Sequence, residues 1–276
     1  MRALFLAVLA LAFAGCAGLP GRAPVFGGID YWRMAPVAAD QLQAIHVLRI
    51  DLRQPGIALE VTAGDRSAGR EFRAQTTSEF LARGAMNAAV NGGFFSPFRG
   101  GSFGGDDYYP RAGDPVDVLG LSMHGGNVDS APEPDAKING TICIRKPASV
   151  SIERGQSCPS GTDEALAAGP LLLKDGSPQP HTLSLTARHP RTAFGLSADR
   201  DTAWMVVVDG RQPLWSAGAT LPEMAQIFRR LGAAEALNLD GGGSSARVIS
   251  DDGAPRLLKS PSRAGIPGLA RPGATH

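Results

Sequence analysis

The sequence predicts a single domain of α/β class with α+β character: mixed, largely antiparallel sheets, a few helices and long Gly/Pro-rich loops. Three observations carry that expectation. The 276 residues include 35 glycines and 21 prolines, so turns are frequent and long helices few. Short apolar runs recur between turn residues along most of the chain, the pattern of strands. Helical periodicity with end signals is confined to two short stretches, near residues 77–83 and 221–231. A hydrophobic content of 43% suffices for a sizeable core, and a net charge of +1 marks neither a nucleic-acid footprint nor a membrane-surface patch.

The first element is an export signal, residues 1–15. Met1-Arg2 is a minimal positive region, and residues 3–13 are apolar but too short to span a bilayer. Phe13-Ala14-Gly15-Cys16 resembles the lipobox of bacterial lipoproteins. The expectation is cleavage before Cys16, lipidation of that cysteine, and a membrane-anchored protein of the bacterial cell envelope facing the periplasm or exterior. Residues 16–38 lack periodicity and read as a tether; residues 39–276 form the domain.

Within the domain, residues 46–52 and 57–62 alternate and read as two strands joined at Gln54-Pro55-Gly56. Residues 77–83 form a helix ended by Gly84. Residues 88–90 are a buried strand running into Asn91-Gly92-Gly93, and residues 99–117 a long loop. A strand at 119–123 precedes an irregular or short-stranded stretch at 131–158. Strands follow at 168–176, 191–197 and 204–208. Thr220-Leu221-Pro222-Glu223 is a capping box opening the clearest helix, with Leu221, Met224, Phe228 and Leu231 on one face and Gly232 at its end. Residues 234–240 form a strand with Leu237 and Leu239 on one face and Asn238 and Asp240 on the other. Residues 248–258 form a hairpin turning at Asp251-Asp252-Gly253.

Cys143 and Cys158 lie in a loop-like segment without a C-x-x-C unit, so they are expected to pair as a disulfide in an oxidising compartment rather than to bind zinc. The five histidines are scattered, with no H-E-x-x-H. Asp106, Asp107, Asp114 and Asp117 could offer oxygen ligands, but their spacing fits no EF-hand. No metal or cofactor is expected, with a structural calcium left open.

Three apolar runs end on a small polar residue and glycine: Val90-Asn91-Gly92-Gly93, Val208-Asp209-Gly210 and Leu239-Asp240-Gly241-Gly242-Gly243. Asp and Asn before Gly are favoured in ordinary turns, but glycine pairs and triplets cost backbone entropy and point to a site built at strand ends. A P-loop is excluded because no lysine follows the glycines. A nucleophile elbow at Ser244 or Ser245 lacks the following helix and the ordered acid and histidine. What remains is carboxylate chemistry on a sugar or anionic substrate, with Arg191 as an anion clamp.

The segments "AVNGGFF", "AAGPLLLKDG", "HPRTAFGLS", "VVVDGRQ" and "AGATLPEMAQIFRRLGAAEALNLDGGGSS" resemble, in order, the phosphodiester glycosidase family from residue 45 onward. The resemblance implies one domain with mixed sheets and hydrolysis of a sugar-1-phosphodiester, of the N-acetylglucosamine-1-phosphodiester kind, at its C1–O bond. By motif it implies site positions at Asn91, Gly92, Gly93, Arg191, Thr192, Asp209, Gly210 and Asp240 to Ser245. Asp240 is expected as the essential carboxylate and Asp209 as the second. Arg191 would hold the phosphate, and Asn91 a sugar hydroxyl or the phosphate. Thr192, Gly92, Gly93, Gly241, Gly242, Gly243, Ser244 and Ser245 would complete the substrate site. The chain departs from the family at Ala270, where a glutamate is usual, and by the resemblance the family's further closing strand is expected to be missing. The alternative is a non-catalytic glycan-binding envelope lipoprotein; retention of Asp209, Asp240 and Arg191 together favours the enzyme.

Overall fold

In the computed structural model, residues 23–37, 40–99, 109–180, 186–251, 254–258, 262–263, 266–267 and 270–276 are described. The export signal, Cys16, Asp106, Asp107 and the hairpin turn at Asp252-Gly253 lie outside the described residues.

The chain opens with β1 (Ala23–Phe26), β2 (Ile29–Met34) and β3 (Ile45–Asp51), then short β4 (Phe72–Arg73) and helix α1 (Thr77–Arg83). Next come β5 (Ala88–Val90), β6 (Phe95–Ser96), β7 (Pro115–Val118), β8 (Ser122–His124) and β9 (Asn127–Ser130). A regular hairpin, β10 (Gly140–Arg145) and β11 (Ser149–Arg154), leads to β12 (Glu164–Ala168), β13 (Leu171–Lys174) and β14 (Ser177–Pro178). The last third holds β15 (Arg191–Leu196), β16 (Thr202–Val208), helix α2 (Leu221–Leu231), β17 (Glu235–Asn238), β18 (Arg247–Asp251) and β19 (Ala254–Leu257).

An eight-stranded sheet, ordered β1-β2-β3-β16-β15-β17-β13-β14, faces a five-stranded sheet ordered β11-β10-β12-β8-β9. Alternation along each strand fills the space between them: Leu48, Ile50, Phe194, Leu196, Val207 and Leu237 from the first meet Ile142, Ile144, Val150, Ile152 and Leu166 from the second. The outer face of the large sheet is covered by α2, whose Leu221, Met224 and Phe228 pack on Val47, Ala193, Val206, Val208 and Ala236. Thr220 caps that helix reciprocally with Glu223, and Gly232 ends it at φ 87°. A third sheet, β19-β18-β5, packs with α1 through Phe80, Leu81, Ala89 and Val248.

Several expectations need correction. Among the described residues the molecule is largely β, with two α-helices, and every named strand pair is antiparallel, so the α/β label with mixed sheets holds only in part. The tether reading fails from Ala23 onward: β2 pairs with β3 over six residues, from Ile29↔Ile50 to Met34↔Ile45. Residues 57–62 are not a strand. They have no regular structure and bury Leu59, Val61 and Thr62, while β3 takes its partners from β2 and β16. Alternation there reports burial, not pairing. The stretch at 131–158 is in contrast a six-pair hairpin, and β7 occupies the end of the expected long loop. Cys143 and Cys158 form a disulfide with Cα atoms 5.7 Å apart, fastening β10 to the segment after β11.

Candidate active site

The three polar-glycine turns converge. Strand β15 lies between β16 and β17, so Asp209 and Asp240 leave the sheet on either side of Pro190-Arg191, with backbones about 10 Å apart from two strand spacings. The glycines after them are needed for contact with that centre. A Cβ on Gly210 would stand 2.6 Å from Pro190 N, and one on Gly241 2.8 Å from Pro190 O. Gly242 has φ +63°, which opens the 3₁₀ turn Gly242–Ser244.

Asp240 is the carboxylate that borders solvent, its side chain 14% exposed. Gly241 N–H donates to its Oδ1 at 2.7 Å and Arg271 Nη2 to its Oδ2 at 2.9 Å. Arg271 also donates through Nε to Ser244 Oγ at 2.9 Å and lies over the rings of Phe98 (4.2 Å) and Phe95 (5.3 Å). Sequence reasoning did not place Arg271 in the site. Its one signal in the sequence is its place directly after Ala270, where the chain departs from the family pattern.

Two arginines stand at the glycine turn that follows Asp240. Arg191 donates to Ala219 O (3.1 Å) and Ala187 O (3.3 Å) and is paired with no carboxylate among the described residues. Burial, then the neighbouring charge of Arg211, pushes its guanidinium down to about 10, so it stays charged at neutral pH. Arg211 Nη2 lies 3.3 Å from His189 Nδ1, and the Arg211 guanidinium flanks Gly242. Burial and the same two arginines lower His189, which keeps that ring neutral at pH 7.

Other expected site residues turn inward. Asn91 is buried; its Nδ2 donates to Asp240 O at 2.8 Å, and its Oδ1 accepts from Thr192 Oγ1 (2.6 Å) and Ala246 N (3.0 Å). It ties β5, β15 and the Asp240 turn together. The Gly92 and Gly93 N–H groups are spent on Thr275 O and Thr275 Oγ1, at 2.8 and 2.9 Å. Side chains there would strike Thr275 and Ala167 O, so this glycine pair admits the 270–276 segment rather than a ligand. Gly243, Ser244 and Ser245 are buried, Ser244 as acceptor for Arg271. Asn238 shares the face expected of it but bonds Gly169 O and Leu239 O under the sheet.

Asp209 is brought to the cluster but not to solvent: it is fully buried. Its Oδ2 accepts from Trp215 Nε1 at 2.9 Å and lies 3.3 Å from His46 Nε2. Of the acidic loop, Asp114 accepts from Arg111 N, and Asp117 from Glu71 N and Arg70.

A family model described as phosphodiester glycosidase matches residues 84–276. A Bacillus subtilis (strain 168) protein, the SPbeta prophage-derived uncharacterized protein YomE, is 37% identical over 93 residues, 32% of this chain and 14% of that protein's length. Among solved structures, a hypothetical protein from Synechocystis superposes with TM-score 0.57 at 18% identity, covering 90% of this chain and 61% of that one. The zebrafish N-acetylglucosamine-1-phosphodiester α-N-acetylglucosaminidase catalytic domain, auto-inhibited by its pro-peptide, superposes with TM-score 0.54 at 16% identity. That match covers 89% of this chain and 86% of the zebrafish chain. At such identities the structural likeness speaks for the fold.

Proposed function

The chain belongs to the phosphodiester glycosidase family, and we propose that it hydrolyses a sugar-1-phosphodiester at the glycosidic C1–O bond, releasing sugar and a phosphomonoester. The observation that carries this reading is Arg191: a largely desolvated guanidinium, bonded among the described residues only to carbonyls, near a second arginine and one solvent-bordering carboxylate. A buried cation without a carboxylate is a strong host for a phosphate oxygen.

In this reading the phosphate lies against Arg191 and Arg211, and the sugar C1 faces Asp240. The C1–O bond breaks with its electron pair staying on the phosphate oxygen, where the arginines meet the added charge. Asp240, oriented by Gly241 N–H and Arg271, faces the positive charge that develops at C1 and takes the proton of the attacking water. A phosphate leaving group needs little protonation, so one carboxylate in the cleft suffices. Asp209 acts from behind. The zebrafish enzyme whose fold this chain shares is named for an N-acetylglucosamine-1-phosphodiester, the kind of substrate we propose here; the lipobox-like Phe13-Ala14-Gly15-Cys16 supports the further proposal of a bacterial envelope protein anchored through lipidated Cys16.

The test is incubation of purified protein with a panel of sugar-1-phosphodiesters, measuring released reducing sugar. Release that disappears in Asp240→Asn supports the proposal. Tight glycan binding without release from any member would establish a binding protein instead.

A further inference from the structure

Arg247 is the most deeply buried cation of the described residues, and the mechanism above does not use it. Its side chain is fully buried, and none of its nitrogens completes a hydrogen bond of normal geometry. Tyr31 lies beneath it with ring centroid 4.3 Å from the guanidinium carbon, and the Tyr31 hydroxyl and the Asp209 carboxylate act on its charge. Burial brings Arg247 down to about 10, still cationic at neutral pH. A cation held this deep in the protein needs a compensating anion, and Arg247 is joined to Asp209 through the Tyr31 ring beneath it and the hydrogen bonds from Tyr31 to His46 and from His46 to Asp209.

The hydrogen bonds around Asp209 then have one direction. A carboxylate only accepts, so His46 Nε2 carries the proton it gives Asp209 at 3.3 Å. In the neutral ring Nδ1 accepts, and its partner is the Tyr31 hydroxyl at 3.1 Å. Burial, the largest cause, keeps His46 neutral by lowering it, with Arg247 and Arg33 acting the same way against Asp209. On its other side Asp209 holds the loop 210–216: Trp215 Nε1 donates to its carboxylate, and Ser216 Oγ to its carbonyl at 2.6 Å. Gln212 and Ser216 bridge that loop, Arg33 covers one face of Trp215 at 4.8 Å, and Arg211 is its second residue.

We propose that Arg247 is a positioning residue for phosphate binding: with Tyr31 and His46 it holds Asp209 as an oriented anion, which anchors Trp215 and so sets Arg211 beside Gly242 and Asp240. The catalytic part of this inference rests on the function proposed above; the phosphate-binding part does not. Arg247 and Arg211 belong to different strands and loops, so coupling between them is not expected from packing alone.

The experiment is a double-mutant cycle, Arg247→Met and Arg211→Ala, on the full chain. Binding of inorganic phosphate is read by calorimetry, and KM and kcat are read on any sugar-1-phosphodiester the parent hydrolyses. Arg247→Met should weaken phosphate binding and raise KM about tenfold with kcat within about twofold, the pattern of lost uniform binding. In the Arg211→Ala background the same substitution should change neither. Equal effects in both backgrounds, or no effect in either, overturn the proposal. Should Arg247→Met fail to fold, Tyr31→Phe and His46→Gln test the same chain: Tyr31→Phe removes a donor and should weaken phosphate binding, whereas His46→Gln can still donate to Asp209 and should keep it. Similar losses in both variants, or none, sink the idea. If the parent turns over no substrate yet binds phosphate with the predicted coupling, the proposed reaction fails and the positioning role stands.

Discussion

At the residue scale, Asp240 and Arg191 carry distinct expectations. Asp240→Asn keeps the shape of a side chain bonded by Gly241 N–H but removes its charge and the ion pair to Arg271. Turnover should fall about 10²–10⁴-fold with the melting temperature shifted by only a few degrees, measured by initial rates and thermal unfolding. Wild-type turnover in that variant would reduce Asp240 to a turn residue. Arg191→Lys retains a charge but loses the planar fork, so KM should rise more than kcat falls. Asn91→Ala should behave differently from both. It breaks bonds to Thr192, Asp240 O and Ala246 N inside the protein, so it should lower stability by about 1–3 kcal/mol as well as activity. The three site motifs were legible in the sequence because glycine after a strand-ending Asp or Asn is a local signal. Which of those residues would face the ligand was not, because burial depends on what packs against them from elsewhere in the chain.

At the scale of elements, both helices are legible locally, α2 from its capping box and Gly232, and α1 from the stretch that Gly84 ends. Both carry reciprocal Thr–Glu caps, and a cap is written in four consecutive residues. Strand pairing was read less well. Residues 57–62 alternate as a strand would yet pair with nothing in a sheet, and the stretch expected to be irregular or short-stranded holds the regular hairpin of β10 and β11, whose Lys/Gly/Pro-rich surroundings obscure its alternation. The disulfide closing that hairpin to the following loop spans a sequence separation of 15. Removing it with Cys143→Ser and Cys158→Ser together should cost about 3 kcal/mol in denaturant unfolding while leaving site geometry intact. The site elements β15, β16 and β17 sit in the other sheet, so phosphate binding should change little.

For the whole molecule, the 270–276 segment ties the fold together. Gly273 bridges Gln75, Thr275 occupies the space left by Gly92 and Gly93, and His276 stacks on Phe80 at 5.2 Å and donates its N–H to Thr62. Complete burial pushes His276 down to about 3 from 6.5. The sign follows directly: above pH 6.5 the ring is neutral in both states, and between 6.5 and about 3 only the unfolded chain takes up its proton. Stability should therefore fall with acidification over that window, with a slope approaching about 1.4 kcal/mol per pH unit from this group. His276→Phe retains the ring and should flatten part of the slope in urea titrations at pH 7, 5 and 4. His46 and His189 are lowered in the same direction and would keep the remainder. At the cell scale, Cys16 should make the mature protein partition into detergent. An intact mass without acyl chains on that residue would remove the proposed anchor.

The sequence by itself determined the local and covalent features: two capped helices, the strands that end on Asn91, Asp209 and Asp240, the cysteine pair, and the family motifs. Each is encoded in a few neighbouring residues, by capping bonds, side-chain alternation or the steric freedom of glycine. Only the tertiary structure decided that Asp240 borders solvent while Asp209 is buried behind Trp215, and that Arg271 completes the Asp240 pair. It also decided that Gly92 and Gly93 admit Thr275 rather than substrate. Those outcomes depend on contacts between segments far apart in the chain, such as 91 with 240 and 240 with 271. Local pattern cannot encode which strand lies next to which, and the position of a charge relative to water is set by that choice.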